Sequence, residues 1–362
     1  MALTIGIIGL PNVGKSTLLN ALASAGAEAS NYPFCTIECN KGVVTVPDER
    51  LDRLAEILRP DKVIPSHITY VDIAGLVEGA SRGEGLGNKF LHHIREADVL
   101  VHVLRCFDDP DITHVFEGVD PVRDLQTVET ELFLSDLDRV GKWIGKEREK
   151  SKAVRKGERK DLGFLEKIKG LLSEEKRIDQ AGMNEHQLEA MAELGLLTQK
   201  PMILVLNSGE SEEADCLEGQ VSTVRDHHGH EPVVISARVE EELAELPEND
   251  REEYMRELGI EAEARKSFIE RCHSLLGLVR YYTAANGKLQ AWSILEGTKA
   301  PDAAGMIHSD MRDGFIRAKV MSYADLDSHG SEAEVQHQGH LRTEGHDYII
   351  KDGDVIQYLF KR

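Results

Sequence analysis

Residues 9–16 read Gly-Leu-Pro-Asn-Val-Gly-Lys-Ser, a G-x-x-x-x-G-K-S loop that follows the apolar run Leu3–Ile8 and opens onto the helical run Thr17–Leu22. That order of strand, glycine-rich loop and helix suits a polyphosphate. Backbone N–H groups around Gly9, Asn12, Val13 and Gly14, with the helix N-terminus at Lys15, Ser16 and Thr17, can wrap its oxygens. Lys15 can neutralise β and γ oxygens, and Ser16 can offer its hydroxyl to Mg²⁺. Asp72-Ile-Ala-Gly75 ends the strand-like run His67–Val71. There Asp72 can hold Mg²⁺ through water and Gly75 can present a free N–H to a γ-phosphate. Between the two motifs, Asn31-Tyr-Pro-Phe-Cys-Thr36 is turn-rich, and Thr36 can supply a second hydroxyl to the metal. Ser16, Thr36 and Asp72 are therefore the metal candidates.

The base-reading positions narrow the ligand. A guanine-specific protein of this class carries N-K-x-D after its fifth strand, with the Asp accepting two N–H bonds from the base. Here the same place reads Asn207-Ser-Gly-Glu210. The lysine is missing and the carboxylate is one methylene longer, so the bidentate contact is crowded or misplaced. Losing a paired base contact costs about 1–3 kcal/mol, which favours adenine over guanine. Ser236-Ala237-Arg238, after the next strand, stands where a backbone N–H touches the base.

These residues need a sheet to hold them. The apolar runs Leu3–Ile8, Gly42–Val46, His67–Val71 and Val99–Cys106 alternate with polar or helical segments, and the rhythm resumes at Met202–Leu206 and Val233–Ile235. This is the pattern of an open α/β sheet. The interruption at 127–200 lacks proline. It carries apolar residues at helical spacing in Leu132, Leu134, Leu137, Val140 and Trp143 and again in Leu162, Leu165, Ile168, Leu171 and Leu172. It predicts an antiparallel, coiled-coil-like helical hairpin with its tip near 152–157. From Val279 onward, Asp-Gly turns at 313 and 352 and β-like runs at Phe315–Val320, Tyr348–Ile350 and Val355–Phe360 predict a small α+β, β-grasp-like domain. The expected division is 1–126 and 201–278 for a Ras-like P-loop domain in two parts, 127–200 for the insertion, and 279–362 for the last domain.

The 362 residues are 41% hydrophobic and carry a formal charge of −21, enough for two or three cores and against a surface that clamps nucleic acid everywhere. The charge is segregated. Between Arg139 and Arg177 stand fourteen Lys/Arg against seven Asp/Glu, and between Ser208 and Glu263 four Arg against eighteen Asp/Glu. The basic block is where a polyanion can dock; the acidic run Glu240–Glu263 reads as a solvated helical face. Five scattered cysteines without a C-x-x-C pair suggest a reducing compartment. The start of the chain lacks the basic region of a signal peptide, and no apolar run reaches membrane-spanning length, so a soluble cytoplasmic protein is expected. His92-His93 is rejected as a metal pair, because neighbouring side chains on a helix diverge by about 100°.

The residues at this point resemble a known family, the Obg-like P-loop ATPases called YchF, over essentially the whole chain. The resemblance rests on G-L-P-N-V-G-K-S, N-Y-P-F-C-T-I-E, D-I-A-G-L-V and the N-x-x-E replacement. It rests also on the C-terminal strings G-T-K-A-P-D-A-A-G-M-I-H-S-D and E-G-H-D-Y-I-I-K-D-G-D-V-I, which look like a ubiquitin-like TGS domain. It implies ATP hydrolysis in preference to GTP, a helical-hairpin insertion, and binding to ribosomes or their subunits through the basic hairpin and TGS-like tail, in translation or stress regulation. Ser208-Gly209 within N-x-x-E departs from the family pattern, so a true GTPase stays open beside the ATPase. An RNA- or ribosome-binding module with a regulatory or vestigial nucleotide site stays open too. Where Ras-like GTPases place a water-orienting Gln, this chain has Leu76. His114, in the loop after the fourth strand, lies toward the carboxyl edge of the sheet and matches a histidine implicated in the family. Lys15, Gly75 and His114 are the catalytic candidates. Asn12 resembles the Asn of potassium-dependent relatives, which adds K⁺ to Mg²⁺ as a candidate cofactor.

Overall fold

The structure, a computed structural model, describes residues 3–24, 41–75, 86–151, 162–178, 183–209, 214–258 and 263–361. Thr36, Leu76, Glu210 and the expected hairpin tip at 152–157 lie outside them. Contacts divide the chain into two compact units, Met1–Gly42 with Thr69–Arg265, and Val43–Ile68 with Lys266–Arg362. In chain order the elements are β1 (Thr4–Ile8), α1 (Lys15–Ser24), β2 (Lys41–Thr45), α2 (Glu49–Leu58), β3 (Lys62–Ile64), β4 (His67–Asp72), α3 (Leu86–Glu96), β5 (Val99–Arg105) and α4 (Pro121–Ser151). There follow α5 (Leu162–Ser173), α6 (Glu185–Leu194), β6 (Met202–Asn207), α7 (Ala214–His228), β7 (Val233–Ile235), α8 (Ala237–Glu245), α9 (Glu248–Leu258) and α10 (Glu263–Leu275). The last part holds β8 (Leu278–Ala285), β9 (Lys288–Leu295), α11 (Ala300–Ile307), α12 (Ser309–Asp313), β10 (Phe315–Ser322), α13 (Tyr323–His329), α14 (Glu332–His337), β11 (Arg342–Glu344) and β12 (Asp354–Phe360).

The first sheet runs β2-β4-β1-β5-β6-β7. Its pairs β1–β4, β1–β5, β5–β6 and β6–β7 are parallel. Parallel strands need cover on both faces, and β5 (Val-Leu-Val-His-Val-Leu-Arg) is accordingly buried at every residue. The register sets Ile7 opposite Asp72, Ile8 opposite His102, and Arg105 opposite Asn207. The ends of β1, β4, β5 and β6 thus meet along the carboxyl edge, where open α/β sheets bind ligands.

Between β5 and β6 lies the helical insertion. Its long helix α4 begins at Pro121, six residues ahead of the expected boundary, because Pro is favoured in the first helical turn and Asp120 caps it through its Oδ1, which accepts from the N–H of Val122 (3.1 Å) and Arg123 (3.0 Å). Val140 and Ile144 of α4 pack with Phe164, Leu165, Ile168 and Leu172 of α5 and with Met191 and Leu194 of α6 in one apolar cluster. α6 is closed at its start by reciprocal bonds between Asn184 and Gln187 and at its end by Gly195 in the left-handed region. The fully buried Asp136 of α4 fixes the return to the sheet. Its carboxylate accepts from Leu197 N–H, Thr198 N–H and Thr198 Oγ1, each at 2.9 Å.

In the second unit the sheet order is β11-β10-β12-β8-β9-β3. β8 and β9 form an antiparallel hairpin whose two-residue turn, Asn286-Gly287, has positive φ at both positions (52° and 71°), the geometry that Asn-Gly supplies. One face is covered by Ala300, Ala303 and Ala304 of α11, the other by Leu51 and Leu54 of α2 with Leu326 and Val335. Segment 43–68, which the sequence rhythm kept with the first part, therefore groups with the C-terminal residues: β3 pairs with β9 at Lys62–Lys288 and α2 closes the sheet. The expected strand at Tyr348–Ile350 is instead an isolated bridge. Ile350 N–H donates to Thr298 O (3.0 Å) and Ala300 N–H to Tyr348 O (2.8 Å), and no regular ladder develops.

Asp136→Ala leaves the buried Leu197 N–H and the half-buried Thr198 N–H without an acceptor and should destabilise the insertion by about 2–4 kcal/mol. Hydrogen exchange at Leu197 and Thr198 reads this directly; unchanged protection there would contradict the role given to Asp136.

Candidate functional site

The loop between β1 and α1 holds its shape through backbone that only small or special residues adopt. Gly9 (φ +146°) passes so close to β5 that a Cβ would sit 2.5 Å from Val103 O, and Gly14 (φ +96°) passes so close to Asn207 that a Cβ would sit 2.2 Å from its amide nitrogen. Asn12, between them, is left-handed at φ 62°, a conformation asparagine tolerates better than most residues. Asn207, at the end of β6, fixes the loop from below. Its Nδ2 donates to Val13 O (2.9 Å) and its Oδ1 accepts from Ala237 N–H (2.9 Å). The side chain expected to read the base is thus a brace between the loop and the start of α8. The Ser236 hydroxyl next to it is buried without a hydrogen bond.

Lys15 is only 7% exposed, and its Nζ donates to Leu10 O at 2.7 Å. Burial pulls its pKa down to about 8, against the attraction of Asp72. His102, beneath on β5, is pushed down to about 3 by burial, with smaller contributions from His228 and Lys15, so the imidazole is neutral. Ser16 Oγ donates to Asp72 Oδ2 (2.5 Å), while Asp72 Oδ1 is buried with no hydrogen-bond partner. An alcohol oxygen beside a carboxylate with one unused oxygen is a donor set that suits Mg²⁺. Gly75 sits against the loop: a Cβ there would meet Pro11 N at 2.8 Å.

Beside Asn12, Gly14 and Thr17 opens a cavity of about 660 Å³, lined by Phe107, Asp108, Asp109 and Ile112 on one side and by Asn207, Ser208, Gly209, Ser236, Ala237 and Arg238 on the other. Arg238 closes the Ser236-Ala237-Arg238 stretch expected at the base, whereas Phe107 and Ile112 carry no motif; two apolar residues in an otherwise acidic loop were the available signal. Glu241, Glu242 and Glu245 also line it, and Glu240 is buried beside Arg265 at 3.7 Å. The start of the acidic run is therefore a cavity wall, and a simple solvated face does not describe it.

His114 does not line this cavity. Its Nε2 lies 2.9 Å from Asp124 Oδ2 at the start of α4, and Phe116 N–H donates to its Nδ1 (3.1 Å). The neighbouring Thr113 carbonyl makes the link to the phosphate loop, accepting from Asn12 Nδ2 at 3.0 Å. His92 lies 3.5 Å from Glu96 on its own helix, and no cluster of three or more His, Cys, Asp or Glu side chains able to hold a metal occurs among the described residues. No helix among them is long and apolar enough to cross a membrane.

A polyphosphate loop on a parallel sheet, with lysine, serine and aspartate converging on it, defines a P-loop nucleoside triphosphatase. Residues 4–136 match the family described as 50S ribosome-binding GTPase, and residues 278–361 match the YchF-type GTPase C-terminal family, described as a protein of unknown function. The chain is 44% identical to the ribosome-binding ATPase YchF of Bacillus subtilis, over 99% of this chain and 100% of that one. It is 38% identical to the Obg-like ATPase 1 of Caenorhabditis elegans, over 99% of this chain and 92% of that one. The solved structure of the Schizosaccharomyces pombe YchF GTPase superposes with a TM-score of 0.85 at 34% identity, covering 99% and 97% of the two chains. The chain belongs to the YchF family.

An incoming polyphosphate raises the pKa of Lys15 above its resting value near 8. Nucleotide binding should then take up a proton as pH rises through about 8, and affinity should fall on the alkaline side while staying flat below. Calorimetry in buffers of different ionisation heat measures this uptake. Lys15→Met should abolish it, and a pH-independent affinity in the unaltered protein would contradict it.

Proposed function

We propose that this chain binds ATP with Mg²⁺, hydrolyses it in preference to GTP, and works as a nucleotide-dependent switch on the ribosome in the cytoplasm. The observation that carries the reading is the convergence of Lys15, Ser16 and Asp72 on one loop, beside a cavity lined by Asn207, Ser208 and Gly209 of the N-x-x-E sequence, which we assign to the base. Gly9, Asn12, Val13, Gly14 and Thr17 complete the phosphate cradle. Ser16 and Asp72, with Thr36 from outside the described residues, would hold Mg²⁺, which neutralises charge on the phosphates. Gly75 N–H is assigned to the γ-phosphate. Asn12 is the residue a monovalent cation would use through its amide oxygen, so turnover is expected to be faster in K⁺ than in Na⁺.

Ribosome association is carried over from the bacterial relatives described as ribosome-binding ATPases. The basic block Arg139–Arg177 and the C-terminal domain are the surfaces assigned to it, since RNA backbone binding needs local positive charge and shape. Ordering of the Thr36 and Gly75 loops by the γ-phosphate, and their release on hydrolysis, would supply the switch. His114 is assigned the orientation of the attacking water. This requires it to leave Asp124 when nucleotide is bound.

A guanine preference is the second reading, because the relative from S. pombe is described as a GTPase. Calorimetric titration with ATP and GTP separates the two. ATP should bind tighter, and Ser208→Lys with Glu210→Asp should move the preference toward GTP; tighter GTP binding in the unaltered protein would make it a GTPase. His114→Ala should lower kcat by on the order of 10²-fold or more and leave ATP affinity in place. Charge reversal at Arg155, Lys156 and Lys160 should weaken ribosome sedimentation without changing basal hydrolysis.

A further inference from the structure

Arg105 is a cation only 1% exposed, at the end of the central strand β5. All three guanidinium nitrogens donate to backbone carbonyls of the one loop that follows: Nε to Phe107 O (2.9 Å), Nη1 to Ile112 O (2.9 Å) and Nη2 to Asp109 O (3.2 Å). Its guanidinium also stacks over the Phe107 ring, 4.5 Å from the centroid. A buried cation is expensive unless its donors are satisfied, and burying a charge merely to close a surface loop is poor economy when a neutral side chain would do. What the loop presents supplies the reason. Phe107 and Ile112, two of the residues whose carbonyls are held, are the apolar side chains that this loop contributes to the 660 Å³ cavity, and Ile112 stays 37% exposed there.

We infer that Arg105 is a positioning residue for nucleotide recognition: it pre-forms the apolar wall on which the purine base stacks. The inference rests on the assignment of this cavity to the base. Ordering a free loop at the moment of binding would subtract from affinity, and a wall held in advance avoids that loss. With its other face against the guanidinium, the Phe107 ring stacks the base while polarised by a fixed cation. Arg105 also pairs in register with Asn207, and Cys106 N–H donates to Asn207 O (3.0 Å), so the apolar wall and the brace under the phosphate loop start from neighbouring strand ends. Across the cavity the two halves of the ligand meet different supports: the phosphates meet the loop 9–16, and the base meets the wall that Arg105 holds. A defect in the wall should therefore weaken the base half alone.

The test compares ATP with inorganic tripolyphosphate, both with Mg²⁺, by calorimetry on the full chain. Arg105→Lys, which keeps the charge but cannot fork to three carbonyls, and Arg105→Gln should each weaken ATP on the order of tenfold or more and change tripolyphosphate less than about twofold. In hydrolysis the loss should fall on KM, with kcat nearly kept. Phe107→Ala and Ile112→Ala, at partly exposed sites where folding is not at stake, should repeat the selective loss, and Phe107→Tyr should restore it. An equal fall for ATP and tripolyphosphate in the Arg105 variants would reduce Arg105 to a structural residue and overturn the inference. So would an unchanged ATP preference in either Phe107→Ala or the Arg105 variants. If the unaltered chain binds tripolyphosphate as tightly as ATP, the assignment of the cavity to the base fails first, and the inference with it.

Discussion

One primary amide holds the site together. Asn207 spans from Val13 O to Ala237 N–H, so the phosphate loop, the end of β6 and the start of α8 are fixed by two bonds from a single buried side chain. Gly14 must pass within van der Waals range of that amide, which explains the glycine as much as any need to approach a phosphate. Remove the brace and the loop carbonyl at Val13 and the N–H at Ala237 both lose their partners inside the sheet edge, where water is a poor substitute. The dependence runs outward from there. Lys15, Ser16 and Asp72 can converge only if the loop between them keeps one shape.

The same edge shows how the protein handles charge without salt bridges. Lys15 rests on Leu10 O and Arg105 on three carbonyls, so both cations are satisfied by backbone dipoles. Carbonyls hold a cation less tightly than a carboxylate would, and they leave its charge available to an arriving anion or π-face. Asp72 is the complementary case: one oxygen is engaged by Ser16 and the other is left over.

Much of this was legible in the residues because it is local. Four glycine, lysine and serine positions in eight residues, in front of a helix, specify a loop regardless of the rest of the chain, and helical periodicity in 127–200 specified the insertion. Three things were not legible, each for a long-range reason. The bracing role of Asn207 was hidden because its partners Val13 and Ala237 lie 194 and 30 residues away. Arg105 carried no motif, since its role is defined by carbonyls. The grouping of α2 and β3 with the C-terminal residues was not legible, because a helix whose apolar face is Leu51 and Leu54 does not announce which sheet it covers, and the Lys62–Lys288 pairing leaves no local trace. Asn286-Gly287, by contrast, is a local hairpin signal that went unread beside the Asp-Gly turns at 313 and 352.

That pairing also sets a clock on synthesis. β3 and α2 leave the ribosome early, yet the strand and the core that complete them, β9 and the cluster around Tyr282 and Leu289, are made only after residue 266. Contacts of such sequence separation form late and slowly, whatever their final stability. For most of its birth, then, the chain carries Leu51 and Leu54 uncovered, waiting on its own carboxyl end. A nascent chain arrested before β9 would be left holding a sticky amphipathic helix in its first part, a species for chaperones or proteases to remove.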